Sequence, residues 1–163
     1  MSAGMHHTQN GISEKKRIES VSYLNQTLAN AIDLYMQTKQ AHWNIKGHGF
    51  YPTHLLLDAV AEEIEEQIDI IAERATALGG TAYGTIQTVS KASQLRVYPT
   101  NITSVTEHLE HLTHNYAILG EFVRADIHKT AELGDHGTND LYISLSRVLD
   151  HKLWLLESQI QKA

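Results

Sequence analysis

Between Asp58 and Glu73 the sequence holds Asp58, Glu62, Glu63, Glu65, Glu66, Asp69 and Glu73 with no basic residue among them, so seven of its 19 acids fall in sixteen positions. Among the imidazoles that precede them are His42 and His54. At about 100° per residue, His54, Asp58, Glu62, Glu65, Glu66, Asp69 and Glu73 share one arc of roughly 120° on a helix, away from a face of leucine, valine and isoleucine. A solvated surface is the plain reading of such a stripe. Like charges at i and i+4 nevertheless destabilise a helix by about 0.3 kcal/mol per pair, and a bound cation would offset that cost. Carboxylate with imidazole suits iron, manganese or zinc better than calcium, which prefers an all-oxygen shell.

The elements that position these groups follow from the apolar repeat. Ile18, Val21, Leu24, Leu28, Ile32 and Tyr35 recur every three or four residues and predict a helix from Glu14 to about Trp43. The glycines of NIKGHG break it, and Pro52 suits the first turn of a second helix that runs to Leu78 with Leu56, Leu57, Val60, Ile64, Ile68 and Ile71 inward. Gly79 and Gly80 supply the stop. The connection from Thr81 to Ile102 is long for a compact domain and is expected to hold a short helix around Ile86 to Ala92. Ser104 with Glu107 forms a capping box before a helix to about Lys129, and a further helix follows the turn at Gly134 to Thr138 and reaches the C-terminus. No strand or internal repeat is evident. The expected fold is all-α: a flexible tail over residues 1–12, then a four-helix bundle over 13–163 with a short extra helix between the second and third, a topology open to the ferritin kind of crossover.

Neither the second nor the fourth helix carries the Glu-x-x-His motif that builds di-iron centres inside a bundle. Metal ligands on the acidic stripe would therefore face outward, and a second subunit would have to close the site. Zero cysteines removes disulfides, thiolate-held metals, iron–sulfur clusters and thiol nucleophiles. No apolar run is long enough to span a membrane, and the first residues lack the apolar core of a secretory signal, so a cytoplasmic protein with no membrane partner is expected.

The run AHWNIKGHGFYPTHLLLDAVAEEIEEQIDIIAERATALGG, with GTNDLYISLSRVLDHKLWLLES later, resembles the Dps family of mini-ferritins from about Ile18 to Ile160. HWN-x-KG, His-x3-Asp and Asp-x3-Glu followed by Arg-Ala occur in the family's order and spacing. The resemblance implies a dodecameric homo-oligomeric shell. Its catalytic iron sites lie at two-fold interfaces, with His42, His54 and Asp58 from one subunit and Asp69 and Glu73 from its neighbour. Each site has room for two irons, and zinc or manganese can substitute. It further implies oxidation of Fe²⁺, preferably by hydrogen peroxide, storage of ferric mineral, protection from oxidative stress, and iron entry through acid-lined pores near the start of the last helix, where Asp135 and Asp140 lie. Those two acids suit helix capping equally well.

Glu62, Glu63, Glu65 and Glu66 stand outside that ligand pattern and are expected to be solvated or cavity-lining. Trp43 lies near the site and is expected to pack; His108, His111 and His114, spaced i, i+3, i+6, are expected on the surface. DNA, the partner in the family's name and the basis of an alternative role in compacting the nucleoid, is opposed by a formal charge of −6 per chain. Lys15, Lys16 and Arg17 are the tail's only concentrated counterweight.

Overall fold

The computed structural model describes residues 4–161. It contains α1 (Glu14–Asn44), α2 (Phe50–Ala77), α3 (Ile86–Ala92), α4 (Val105–Leu133) and α5 (His136–Glu157), with no β-strand among the described residues. Helices α1 and α2 pack as one hairpin and α4 and α5 as another. Their apolar stripes meet in a single core in which Leu24, Leu28, Leu57, Ile64, Ile71, Leu112, Tyr116, Leu119 and Tyr142 are almost fully buried. Ile18, expected on the apolar stripe of α1, is instead 48% exposed, because the core ends one turn later at Val21.

The connection from α2 to α4 makes the crossover. The Lys46 N–H after α1 donates to the Thr103 carbonyl just before α4 (2.8 Å), so α4 starts at the end of the bundle where α2 starts, and the two run in the same direction. Along its length the connection is held by amide side chains of α1. Asn25 Nδ2 donates to Thr81 O (2.9 Å), Gln26 Nε2 to Ala92 O (2.8 Å) and Gln37 Nε2 to Arg96 O (3.1 Å), while Asn30 Oδ1 accepts from the Gln94 N–H (2.8 Å). Ser104 and Glu107 close the expected capping box of α4.

Three helix ends differ from the sequence reading. α4 continues to Leu133 before Gly134 stops it, and α5 starts at His136 because Asp135 is its N-cap, accepting from the Thr138 N–H (3.1 Å). α5 then ends at Glu157 in a tighter turn in which the Ile160 N–H donates to the Glu157 carbonyl. The segment 1–12 was expected as a tail, and its residues 1–3 lie outside the described residues. From residue 4 it runs over the end of α2, where the His6 N–H donates to Gly79 O (2.6 Å) and Met5 and Ile12 pack on the core. Gly79 has φ +87°, and a Cβ there would come within 2.7 Å of the His6 carbonyl oxygen, so the stop after α2 requires glycine. No described helix is long and apolar enough to cross a membrane.

Candidate metal centre

His42 at the end of α1 and His54 in the first turns of α2 are brought together by the short connection between those helices. Nδ1 of His42 donates to the His54 carbonyl and Nδ1 of His54 to the His42 carbonyl, both at 2.9 Å. The rings stack with centroids 3.8 Å apart. These reciprocal bonds place the ring proton of each imidazole on Nδ1 and leave each Nε2 lone pair open to a metal, the arrangement in which a backbone carbonyl orients a ligating histidine. Asp58, one turn further along α2, brings Oδ1 to 3.8 Å from His42 Nε2. His42 thus lies against both His54 and Asp58, a neighbourhood that by itself falls short of a three-ligand site.

Lys39 joins them, and sequence reasoning missed it. Its Nζ lies 2.7 Å from Asp58 Oδ1. That bond, with the charge of Lys39, holds the Asp58 carboxyl below its usual range and in turn raises the ammonium of Lys39. Its signal was its position one turn before His42 on the same helix face, invisible until α2 is packed alongside.

Asp69 and Glu73 are not part of this cluster. They sit eleven and fifteen residues beyond Asp58 on a continuous helix, about 16 and 22 Å of rise away, and both are exposed. Among the described residues they form no salt bridge, and no three His, Asp or Glu groups of one chain converge to hold a metal. Glu62, Glu65 and Glu66 are exposed along the same face and line a shallow groove with Asp69. Glu63, expected to be solvated or cavity-lining, is instead half-buried and pairs with Lys152, whose side chain is nearly buried in the α2–α5 contact.

Trp43 does not pack within the chain as expected but is 59% exposed, and Phe50, Tyr51 and Leu55 beside the histidines are exposed as well. His108 is buried, correcting its expected surface position, while His111 is half-buried and His114 exposed, so the three do not converge. The pore candidates also divide. Asp140 is exposed, whereas Asp135 has no exposure, caps α5 and lies 2.6 Å from Arg74 Nη2, which removes it from any pore lining. Burial alone would push the Asp135 carboxyl up. Hydrogen bonds from the Thr138 hydroxyl and N–H, with the Arg74 charge, outweigh it and hold the group below its usual value.

A helical bundle with this crossover, carrying carboxylates and imidazoles at the ends of one long helix, is of the ferritin-like class, and the ferritin-like domain model matches residues 21–163. The DNA protection during starvation protein of Agrobacterium fabrum is 40% identical over 157 residues, which cover 96% of this chain and 97% of that one. DpsC from Streptomyces coelicolor superposes with a TM-score of 0.94 at 30% identity, covering 98% of this chain and 93% of that one. Dps from Vibrio cholerae, a member of a broad superfamily of ferritin-like diiron-carboxylate proteins, superposes with a TM-score of 0.90 at 26% identity over 98% of this chain and all of that one (100%). The chain belongs to the Dps family.

Proposed function

We propose that this protein oxidises Fe²⁺ with hydrogen peroxide at sites shared between two copies of the chain and stores the ferric product inside a homo-oligomeric shell, a dodecamer in the family's pattern. The observation that carries this reading is the division of the ligand set. Two oriented imidazoles and Asp58 stand at one end of α2, and Asp69 and Glu73 stand exposed at the other, out of each other's reach within one chain. Antiparallel pairing of two α2 helices across a two-fold axis would bring each half to the other and cover Trp43, Phe50, Tyr51 and Leu55. Residues 13–163 supply the bundle that makes this contact.

Iron is the substrate. Nε2 of His42 and His54 and the carboxylates of Asp58, Asp69 and Glu73 bind Fe²⁺, and the hard oxygen donors favour the ferric product. Zinc or manganese would occupy the same donors without the net chemistry. Each peroxide accepts one electron from each of two ferrous ions together with two protons, leaving two ferric ions and two waters, so no hydroxyl radical is released when both electrons arrive together. Lys39 must give up Asp58 for Asp58 to bind iron, which makes the lysine a competitor of the substrate. Exposed Glu62, Glu65 and Glu66 supply a surface for ferric mineral, and Asp140 remains the candidate for an entry pore. A cytoplasmic protein of this kind would limit oxidative stress by removing both reactants.

Iron-loaded, oxygen-free protein mixed with hydrogen peroxide tests the reading. The rapid rise in ferric absorbance should fall more than about 100-fold in a His42→Ala, Asp69→Ala double variant, since disturbing even outer partners of a metal site costs about 10–100-fold. Equal rates in both proteins, matching free iron, would reject the site. A second reading, a DNA-compacting protein in which metal only steadies the oligomer, is favoured by the name of the Agrobacterium relative. Lys15 and Lys16 are exposed, but Arg17 is buried, with Nη1 on Leu78 O (2.7 Å) and Nε on Ile12 O (3.0 Å), so the basic group, which lies in the first turn of α1, is smaller than the sequence suggests. DNA condensation that survives the double variant would support that reading.

A further inference from the structure

The connection before α4 carries a side-chain pair that the iron chemistry above does not use. Tyr98 is partly buried against the core, and its hydroxyl is hydrogen-bonded to Nδ1 of His108 in the first turn of α4. His108 is 1% exposed, and its Nε2 closes no hydrogen bond among the described residues, although the nearby Ile102 carbonyl favours a proton on the ring. Burial pushes the Tyr98 phenol up and the His108 imidazole down, so at neutral pH a protonated phenol faces a neutral base. Space-filling alone would be served by apolar side chains without stranding a buried polar atom. The two fully buried tyrosines differ. The Tyr116 hydroxyl meets Thr38 (3.0 Å) and that of Tyr142 meets Thr27 (3.2 Å), alcohols that cannot keep an extra proton at neutral pH.

We propose that Tyr98 and His108 form a proton-coupled redox pair that consumes one-electron oxidants escaping from the reaction of Fe²⁺ with peroxide, resting on the function proposed above for the source of the oxidant. In the forward step the Tyr98 O–H bond breaks. The proton forms a new N–H bond at Nδ1 of His108, and the electron reduces a hydroxyl radical to hydroxide. The products are a neutral phenoxyl radical and an imidazolium. A ferrous ion then returns one electron and becomes ferric, the proton moves back from Nδ1, and the phenol is restored. Electron exchange with the iron site has a packed route. The Tyr98 ring meets the edge of His111 with centroids 4.7 Å apart, and His111 Nε2 lies 3.3 Å from Gln37 Oε1. Gln37 is five residues before His42 on α1, about 7.5 Å of helix rise.

The test uses the intact metal-free assembly and a photogenerated ruthenium(III) tris(bipyridine) oxidant, read by electron paramagnetic resonance and phenoxyl absorbance. The wild type should give a neutral tyrosyl signal hydrogen-bonded to nitrogen, which Tyr98→Phe removes and Tyr83→Phe, at an exposed ring, leaves intact. In His108→Gln the formation of that radical should slow about 100-fold, the low end of what a positioned proton acceptor contributes. An unchanged signal in Tyr98→Phe, or a wild-type rate in His108→Gln, overturns the pair. If His108→Gln does not fold, a solvent deuterium isotope effect on radical formation in the wild type serves instead, and its absence overturns the pair equally. Repeating the experiment with Fe²⁺ and hydrogen peroxide separates the two failures: a signal under light that never forms with iron overturns the assigned oxidant, whereas the double variant described above tests the ferroxidase site itself.

Discussion

The exposed face of α2 and the junction between α4 and α5 are both acidic, and they use their carboxylates in opposite ways. At the junction, Asp135 is fully buried and every part of it is engaged by its own chain: Arg74 at 2.6 Å, the Thr138 N–H at 3.1 Å and the Thr138 hydroxyl at 2.6 Å. Even the backbone makes room, since a Cβ on Gly137 would come within 2.9 Å of Arg74 Nη2. On α2, Asp69 and Glu73 stand in the open and form no salt bridge among the described residues. An acid completed from within contributes to folding. An acid left incomplete on a rigid helix costs a little repulsion and stays available to a cation or a second subunit.

Four substitutions would break or sharpen that contrast. The largest effect is expected for Asp135→Ala, which strands the partly exposed Arg74 and removes a cap; stability should fall by about 3 kcal/mol, measured by denaturant unfolding, and a loss within error of zero would contradict the structural role. The pH dependence has a defined sign. Because folding lowers the Asp135 carboxyl below its ordinary 3.8, its stabilisation is complete above that value and disappears as pH falls through the folded value. Acid titration should therefore show a stability loss in the wild type that Asp135→Asn lacks. A smaller change is expected for Lys39→Met, which releases Asp58 from a solvent-accessible pair. Calorimetry should find anaerobic Fe²⁺ binding up to about fivefold tighter, the scale on which a solvent-accessible ion pair competes, and weaker binding would mean that Lys39 orients Asp58 rather than competing for it. Smallest of all, Glu73→Gln should leave metal-free stability unchanged or raise it by about 0.3 kcal/mol, while removing one iron ligand.

Much of this contrast was legible in the sequence, and what was not has a common cause. The helices were readable because a repeat of three to four apolar residues is a local property, and the short α3 because a long connection needs structure of its own. His42, His54 and Asp58 could be grouped because a short connection separates their helices. Lys39, the burial of His108 and the pairing of Glu63 with Lys152 depend on which helix lies across from which, and a single helix's pattern does not carry that information. Asp135 was ambiguous for the same reason: capping and pore lining ask for the same residue type at the same position, and only the placement of Arg74 separates them.

The amide side chains by which α1 holds the crossover have a consequence for how this sequence can change. Asn25, Gln26 and Gln37 bind the carbonyls of Thr81, Ala92 and Arg96, groups that every amino acid possesses. The path of the connection is thus encoded in α1, while many of the connection's own side chains, such as Ile86 at 83% and Val97 at 92% exposure, are left uncommitted. Descendants of this chain can rewrite those exposed positions and keep the trace, whereas a single loss among the α1 amides would be inherited as a displaced crossover.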